Sequence, residues 1–577
     1  PDAEQYWIAA GGVDVTADDR LVIMGNEHGL NAGTDNDHGG GGYNRAGVAK
    51  WWTITAPTNV WGASINAGTG AIDGDGNSEE KSNGWGNAGG TSNAAPHIAG
   101  AMGVLLGRYM YLTPTQVRDV MFTTASNEDG QGGLLEEWDS PTGVPDNDYG
   151  WGVLDLGKAI YGPGQFLGDF AVTMNDVNDT WRNDISDVAI KARKVEDETE
   201  DAAWVERKAE LDAKKVAGTL TKEEAWEYEY KTARDEARDL RAKQGYVGRL
   251  IKDGNGTLTL TGHNTYSGGT VVNGGTVAGL SDSFGSGDVV VNAGGTVEFH
   301  TQFLLQKAGD DDWVEDNYYA SADLNDDANV VVKKGGALSI AESGVSLGNV
   351  TIEEGALFKV GGVDADLLAD LWKDPAKTYD VTLTTKSLTG GEYLTAETDY
   401  AFFSNEIDTS TANTVKASLK KLDGGMAAAA VTENGRAIGA AIEASPESET
   451  FAAFLSATKE QAARTFDSLG SDINFTAQNL SIVNSLTLSR AVKDQSTGYG
   501  TANTAKLGNG AEVWATGIGA WSNSDAGGAS TDLDADFYAG LVGVEMQVCS
   551  ATKLGVFFGA GSTDFKGGVC DMTRHVL

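Results

Sequence analysis

The chain has 577 residues, enough for several domains, and carries 83 acidic against 42 basic side chains for a formal net charge of −41. Such a surface repels nucleic acid and anionic membrane, which excludes both as electrostatic partners. The 77 glycines follow no triplet period, which excludes collagen and signals many tight turns, and two cysteines, Cys549 and Cys570, are too few for a disulfide scaffold. Whether that pair bridges is left open. A run of about 18 apolar residues, the signature of a membrane helix, is absent, but alternating barrel strands would escape that test.

In chain order, residues 1–165 mix short apolar strands with Gly-rich loops, and Pro96 to Tyr111 reads as a buried helix of small and aliphatic residues. This texture predicts an α/β domain. Residues 166–181 open the next region. From 182 to 245 glycine nearly vanishes and Glu, Lys, Ala, Arg and Asp dominate. The capping box Thr221-Lys222-Glu223-Glu224, the turn Gly218-Thr219 and the stop at Gly245 predict a charged helical hairpin over 187–217 and 222–244. Trp204, Leu211, Trp226, Tyr230 and Leu240 are candidates for its seam. The plainest reading is a solvated insert without chemistry.

Residues 246–433 alternate and repeat. Gly274-Gly275-Thr276-Val277 returns twenty residues later as Gly294-Gly295-Thr296-Val297, and Val330-Val331-Val332 and Val350-Thr351-Ile352 open further copies. Strand-and-turn units at a near-constant spacing predict stacked coils, best satisfied by a parallel β-helix, with stacked sandwich-like hairpins as the alternative. Residues 434–510 turn helical, with Phe451 to Ile473 and Leu480 to Val492 as candidate helices. From 511 to 577 the period becomes two: Val513, Ala515, Gly517, Gly519 and Trp521 fall on one side of a strand, Trp514, Thr516, Ile518 and Ala520 on the other.

The sharpest motif is Gly90-Thr91-Ser92-Asn93-Ala94-Ala95-Pro96-His97-Ile98-Ala99-Gly100. Glycine before serine allows a tight turn and close approach of a substrate, and the small residues that follow let a helix pack inside the domain. Pro96 is expected in the first turn, where its missing N–H costs little. Ser92 then stands at a helix N-terminus, where free N–H groups and the dipole can hold a developing oxyanion. The segment resembles the nucleophile motif of the subtilases. Tyr6 to Asp14, Ala46 to Pro57 and Tyr149 to Asp155 are similar to other strands and the closing segment of that family, so the resemblance covers about residues 1–165.

The resemblance implies a serine endopeptidase of protein or peptide substrates with Ser92 as its catalytic nucleophile, and no cofactor is expected. In that family Asp, His and Ser follow in chain order, with the Asp on the order of 190 residues before the Ser. The catalytic Asp and His and the side-chain oxyanion donor are therefore expected before Pro1. His28 and His38 do not match the family's His motif, and His97 is expected as a helix residue rather than the base. This chain alone is expected to be inactive. The loop Asp73-Gly74-Asp75-Gly76-Asn77 fails as a calcium loop because Gly84 stands where a Glu is needed. The cluster Asp323, Asn325, Asp326 and Asp327 is weaker still, and no metal is assigned.

Gly256 to Val277, centred on Asn264-Thr265-Tyr266-Ser267-Gly268-Gly269-Thr270, resembles the strand repeat of autotransporter passengers. Asn434 to Glu443 resembles the junction before an autotransporter translocator, and Glu512-Val513-Trp514-Ala515 its first barrel strand. At about 10 residues per spanning strand, the end of the chain holds four or five strands, and closure needs at least ~8. The expected fold is thus multidomain: a partial subtilisin-like α/β domain, a right-handed parallel β-helix with a helical-hairpin insert, and a partial antiparallel transmembrane β-barrel, the chain being cut at both ends. The resemblance implies type V secretion, the barrel in the bacterial outer membrane and the passenger at the cell surface or secreted. The competing function is an adhesin-like passenger with a degenerate protease domain.

Overall fold

The computed structural model describes residues 6–15, 21–23, 44–58, 60–64, 84–88, 90–303, 329–430, 432–446, 451, 454–469, 472–498, 502–524, 533–550, 552–567 and 570–576. The loops holding His28, His38, Asp73 to Asn77 and Asp323 to Asp327 lie outside the described residues. The chain divides into two compact units, 1–362 with 381–396 and 407–417, and 363–380 with 397–406 and 418–577.

The first unit begins with β1 (Ala9–Val15), which pairs antiparallel with β2 (Leu21–Ile23) and parallel with β3 (Thr53–Pro57). β4 (Val60–Ser64) and β5 (Gly84–Ala88) form an antiparallel pair. Helix α1 (Thr91–Arg108) buries Ala94, Ile98, Ala101 and Leu105, and α2 (Pro114–Thr123) starts from a capping box between Thr113 and Gln116. The segment at 149–155 is stitched along β3: the Trp151 N–H donates to the Thr53 carbonyl at 2.9 Å and the Leu154 N–H to that of Thr55 at 2.8 Å. Gly150 permits this, since its φ is +66° and a Cβ there would lie 2.2 Å from the Thr53 oxygen. Gly150→Ala should therefore lower the unfolding free energy by at least ~2 kcal/mol in a denaturant titration.

After α3 (Leu156–Ala159) the chain alternates between two sheets. One holds, as parallel neighbours in order, β6 (Asp169–Thr173), β8 (Arg249–Asp253), β10 (Thr270–Val272), β12 (Val289–Val291), β14 (Asn329–Val332), β16 (Val345–Ile352) and β18 (Tyr379–Thr389). The other holds β7 (Asp179–Trp181), β9 (Thr257–Leu260), β11 (Gly275–Leu280), β13 (Gly295–His300), β15 (Ala337–Ile340), β17 (Leu357–Val360) and β19 (Thr395–Ala396), again all parallel. The parallel pairing of these fourteen strands rules out stacked hairpins, whose neighbours run antiparallel. Leu250, Leu258, Leu260, Val272, Val277, Val291, Val297 and Leu338 are fully buried between the sheets.

Register gives the coil length. Gly275 pairs with Gly295, twenty residues on, whereas Asp169 pairs with Arg249, eighty residues on. The extra length of that first coil is the hairpin of α4 (Val188–Ala217) and α5 (Lys222–Gln244), closed by left-handed Gly218 (φ +68°) and Gly245 (φ +81°) and by the Thr221–Glu224 capping box. Its seam corrects the apolar expectation. Trp204 and Leu211 are buried, but Trp226, Tyr230 and Leu240 are exposed. α5 instead turns Arg234, Arg238 and Arg241 toward α4, where they pair with Glu200, Asp201 and Asp197. A carboxylate-for-guanidinium seam leaves no apolar periodicity to detect.

Two ionisable side chains stand out in the coils, Lys252 fully buried and His300 half-buried. Lys252 Nζ donates to the carbonyls of Asp253, Gly254 and Gly274 at 3.0, 3.2 and 3.1 Å, and burial pulls its pKa down to about 8. His300 lies between Glu298 (2.8 Å) and Glu342 (3.5 Å). Burial opposes its charge, but hydrogen bonds to both carboxylates prevail and raise its pKa from 6.5 to about 9. Because the folded value is the higher, this stabilisation is complete below pH 6.5 and is lost as pH rises through about 9. The melting temperature should fall across that window, and His300→Gln should flatten the fall.

In the second unit, a helix over Ala365–Lys373 interrupts what reads as β-helix sequence. Its Trp372 packs edge-on against Phe402, Phe403 and Phe451. The single helix expected over Phe451 to Ile473 is broken, because Ala457 accepts the Ala401 N–H at 2.9 Å and a new helix starts at Lys459. A longer one follows over Asp472–Ser496. Five antiparallel strands end the unit: Asn503–Lys506, Ala511–Ser524, Leu533–Cys549, Thr552–Gly567 and Cys570–Val576. Along the second strand Ala515, Gly517, Gly519 and Trp521 are exposed, while Trp514 is buried and Thr516, Ile518 and Ala520 are half-buried. Val542, Val544 and Met546 pair across to Phe558, Val556 and Leu554, forming an exposed apolar face. The opposite face meets the long helix, where Asn484 Nδ2 donates to Thr563 Oγ1 at 3.2 Å. Among the described residues, no helix is long and apolar enough to cross a membrane.

Candidate active site

Ser92 is exposed and is the second residue of α1. Gly90 precedes the helix at φ +90°, ψ 167°, a conformation that L-residues avoid, and so turns the chain sharply into α1. The first four N–H groups of a helix have no helical acceptor. Those of Thr91 and Ser92 stand beside the serine hydroxyl at the positive end of the dipole, where an anion is stabilised. Pro96 corrects the expectation. The helix starts at Thr91, so Pro96 is its sixth residue, inside the helix rather than in the first turn. It cannot donate to the Ser92 carbonyl, and the helix gives up one bond next to the serine.

The turn is held from below. Asn93 Nδ2 donates to the Thr58 carbonyl at 3.2 Å, and the Thr58 N–H and hydroxyl both donate to the Val13 carbonyl at 2.9 Å. Ser92 thus sits above the ends of β1 and β3. His97 Nδ1 donates to the Asn93 carbonyl at 2.8 Å, a bond within its own helix.

Sequence reading missed the anchor at the other end of α1. Arg108 grips Asp179 of β7 with two nitrogens, at 2.6 and 2.8 Å, and reaches the Ile160 carbonyl at 3.2 Å. Tyr111 also donates to Asp179, and its hydroxyl accepts from Trp181 Nε1 at 3.0 Å. Tyr109, fully buried, donates to the Ala159 carbonyl at 2.6 Å. The serine-bearing helix is therefore built into the first coil, an attachment with no local sequence signal because Arg108 and Asp179 lie 71 residues apart.

Three families match in chain order: the subtilase family over residues 1–152, the passenger-associated-transport-repeat over 250–278 and the autotransporter β-domain over 513–573. The chain is 24% identical to the extracellular serine protease of Serratia marcescens over 544 residues, 84% of this chain and 48% of that protein. It is 35% identical over 145 residues to serotype-specific antigen 1 of Mannheimia haemolytica, covering 25% of this chain and 13% of that protein. It is 30% identical over 150 residues to the autotransporter lipoprotein NalP of Neisseria meningitidis, covering 25% and 11%. The chain thus spans less than half the length of these curated relatives.

Proposed function

We propose that this chain is part of a serine endopeptidase that a C-terminal β-barrel exports to the cell surface, with Ser92 as the nucleophile. The carrying observation is the exposed Ser92 in the first turn of α1, behind Gly90 at positive φ, beside the first N–H groups of the helix, which have no acceptor within it. In the reaction, the hydroxyl would add to a peptide carbonyl while a histidine takes its proton. The helix N-terminus would hold the oxyanion until the amine leaves with that proton. His97 lies five residues along α1 from Ser92, about 140° around the helix, and its ring is tied to the Asn93 carbonyl there, so the base is a different histidine. We assign the base and its aspartate to motifs outside this chain, and this chain alone to an inactive state.

The division of labour follows. Residues 1–165 form the peptidase part, and the coils over 166–181 and 246–433 a right-handed β-helix stalk with the 182–245 hairpin inserted. Residues 434–510 are the helical linker and 511–577 the first strands of the β-barrel. The exposed apolar face centred on Val544 and Val556 suits contact with outer-membrane lipid. An adhesin with a degenerate peptidase is the less favoured reading, since the subtilase match includes the whole Ser92 motif. A serine-directed fluorophosphonate tests the assignment. Labelling should be confined to Ser92 in protein that also carries the Asp and His motifs, and be absent from residues 1–577 alone. Strong labelling of the chain alone would overturn the inactive assignment, and labelling elsewhere would overturn Ser92.

A further inference from the structure

The helical hairpin is more than a solvated insert. Near its base α4 lies against the six residues that lead into β3. Glu196 accepts a hydrogen bond from Trp51 Nε1 at 2.7 Å and pairs with Lys50 at 2.6 Å. The Arg193 guanidinium lies 4.6 Å from the centre of the Trp51 ring. Arg193 is itself buried and backed by buried Asp197, which also takes two bonds from Arg241, at 2.7 and 2.9 Å, and one from Tyr246 at 3.0 Å. A desolvated cation held on both sides this way fixes the ring it covers.

The contact continues inward. Trp51 packs edge-on against Trp151 at 6.0 Å, and its carbonyl accepts from Trp151 Nε1 at 3.0 Å. Trp151 in turn stacks on Phe122 of α2 at 5.9 Å. Trp51 stands two residues before β3, and Thr58, just after β3, receives the amide of Asn93, the neighbour of Ser92. A continuous chain of contacts, buried at Arg193, Trp151 and Thr58 and half-buried at Trp51 and Asn93, thus runs from the hairpin to the serine turn.

We propose that the hairpin is a strut that positions the Ser92 turn, with Arg193 and Glu196 as its positioning residues. This rests on the reading of Ser92 as nucleophile for its catalytic meaning, but the mechanical coupling stands apart from it. Without the strut, Trp51 and the turn before β3 lose their outer support, and the strand that carries Thr58 opens more often. Ser92 keeps its chemistry but loses its fixed approach to substrate, so kcat falls more than KM rises.

Amide hydrogen exchange on this chain tests the coupling without any need for activity. Arg193→Met keeps the bulk of the side chain, and Glu196→Gln keeps an acceptor for Trp51 but removes the charge facing Lys50. Arg193→Met should speed exchange over residues 47–58 and 93–98 by roughly tenfold, with β9 to β13 unchanged; Glu196→Gln should give a smaller change in the same segments, and Arg193→Lys should restore part of the protection. Unchanged exchange at 47–58 and 93–98 in Arg193→Met, or a change spread equally over β9 to β13, would overturn the strut. Fluorophosphonate labelling of the unaltered protein reports separately on Ser92, so either idea can fail alone.

Discussion

Replacing Ser92 with alanine, in protein that also carries the Asp and His motifs, should lower kcat for a peptide substrate by on the order of 10^3- to 10^6-fold with little change in KM. The hydroxyl forms the covalent bond, so its loss removes the nucleophilic route altogether. Substrate contacts made by the rest of the cleft survive, which is why KM should hold. Residual rate over water would come from the N–H groups at the head of α1, which alanine leaves in place. Cysteine is the informative second variant. It keeps a nucleophile at the same position, but sulfur is larger than oxygen, so acylation should be slow while the free thiol stays open to alkylation. A Ser92→Ala protein retaining about a tenth of the wild-type rate would remove Ser92 from the chemistry.

The largest effect on stability is expected at Trp181, whose truncation to alanine should cost about 3–5 kcal/mol. Trp181 is fully buried. It packs against Phe166 at 6.4 Å and edge-on against Phe170 at 5.8 Å, and its Nε1 donates to Tyr111, the partner of Asp179. Gly162 lies close enough that a Cβ there would sit 2.8 Å from the Trp181 side chain, so the pocket around the indole is tight and collapses poorly when emptied. The loss therefore includes transfer, cavity and an unmade hydrogen bond. The variant should unfold at lower denaturant with the peptidase segment and the first coil in one transition, because Arg108 and Asp179 join them. Two separated transitions, with the coils as stable as wild type, would show that Trp181 does not link them.

Much of the architecture was legible because it is written in short-range pattern. The Gly-Gly-Thr-Val repeat at 275 and 295 is a direct image of the parallel register, since each coil must place the same turn and the same inward valine over the last. The Thr221–Glu224 box and Gly218 and Gly245 mark helix ends through bonds and φ values local to a few residues. The period of two after Glu512 separates exposed from covered faces because a strand can do nothing else with alternate side chains. Pro96 was misplaced for an equally local reason. Proline suits a first turn on average, and its sixth position in α1 depends on Gly90 starting the helix earlier.

By itself the sequence determined the coils, the hairpin, the alternating strands and the serine after a glycine turn, since periodicity, caps and positive-φ glycines act over distances the chain spans locally. Tertiary structure alone decided what those parts lean on. Trp226, Tyr230 and Leu240 look like core and face solvent, while Arg238 looks like surface and is buried. Arg108 meets Asp179 across 71 residues and Trp51 meets Glu196 across 145, and the ion pair and the indole bond exist only once both ends are folded. A charge does not announce its partner in sequence, because Coulomb attraction and hydrogen bonding select by distance in space, and that distance is fixed by packing far from either residue.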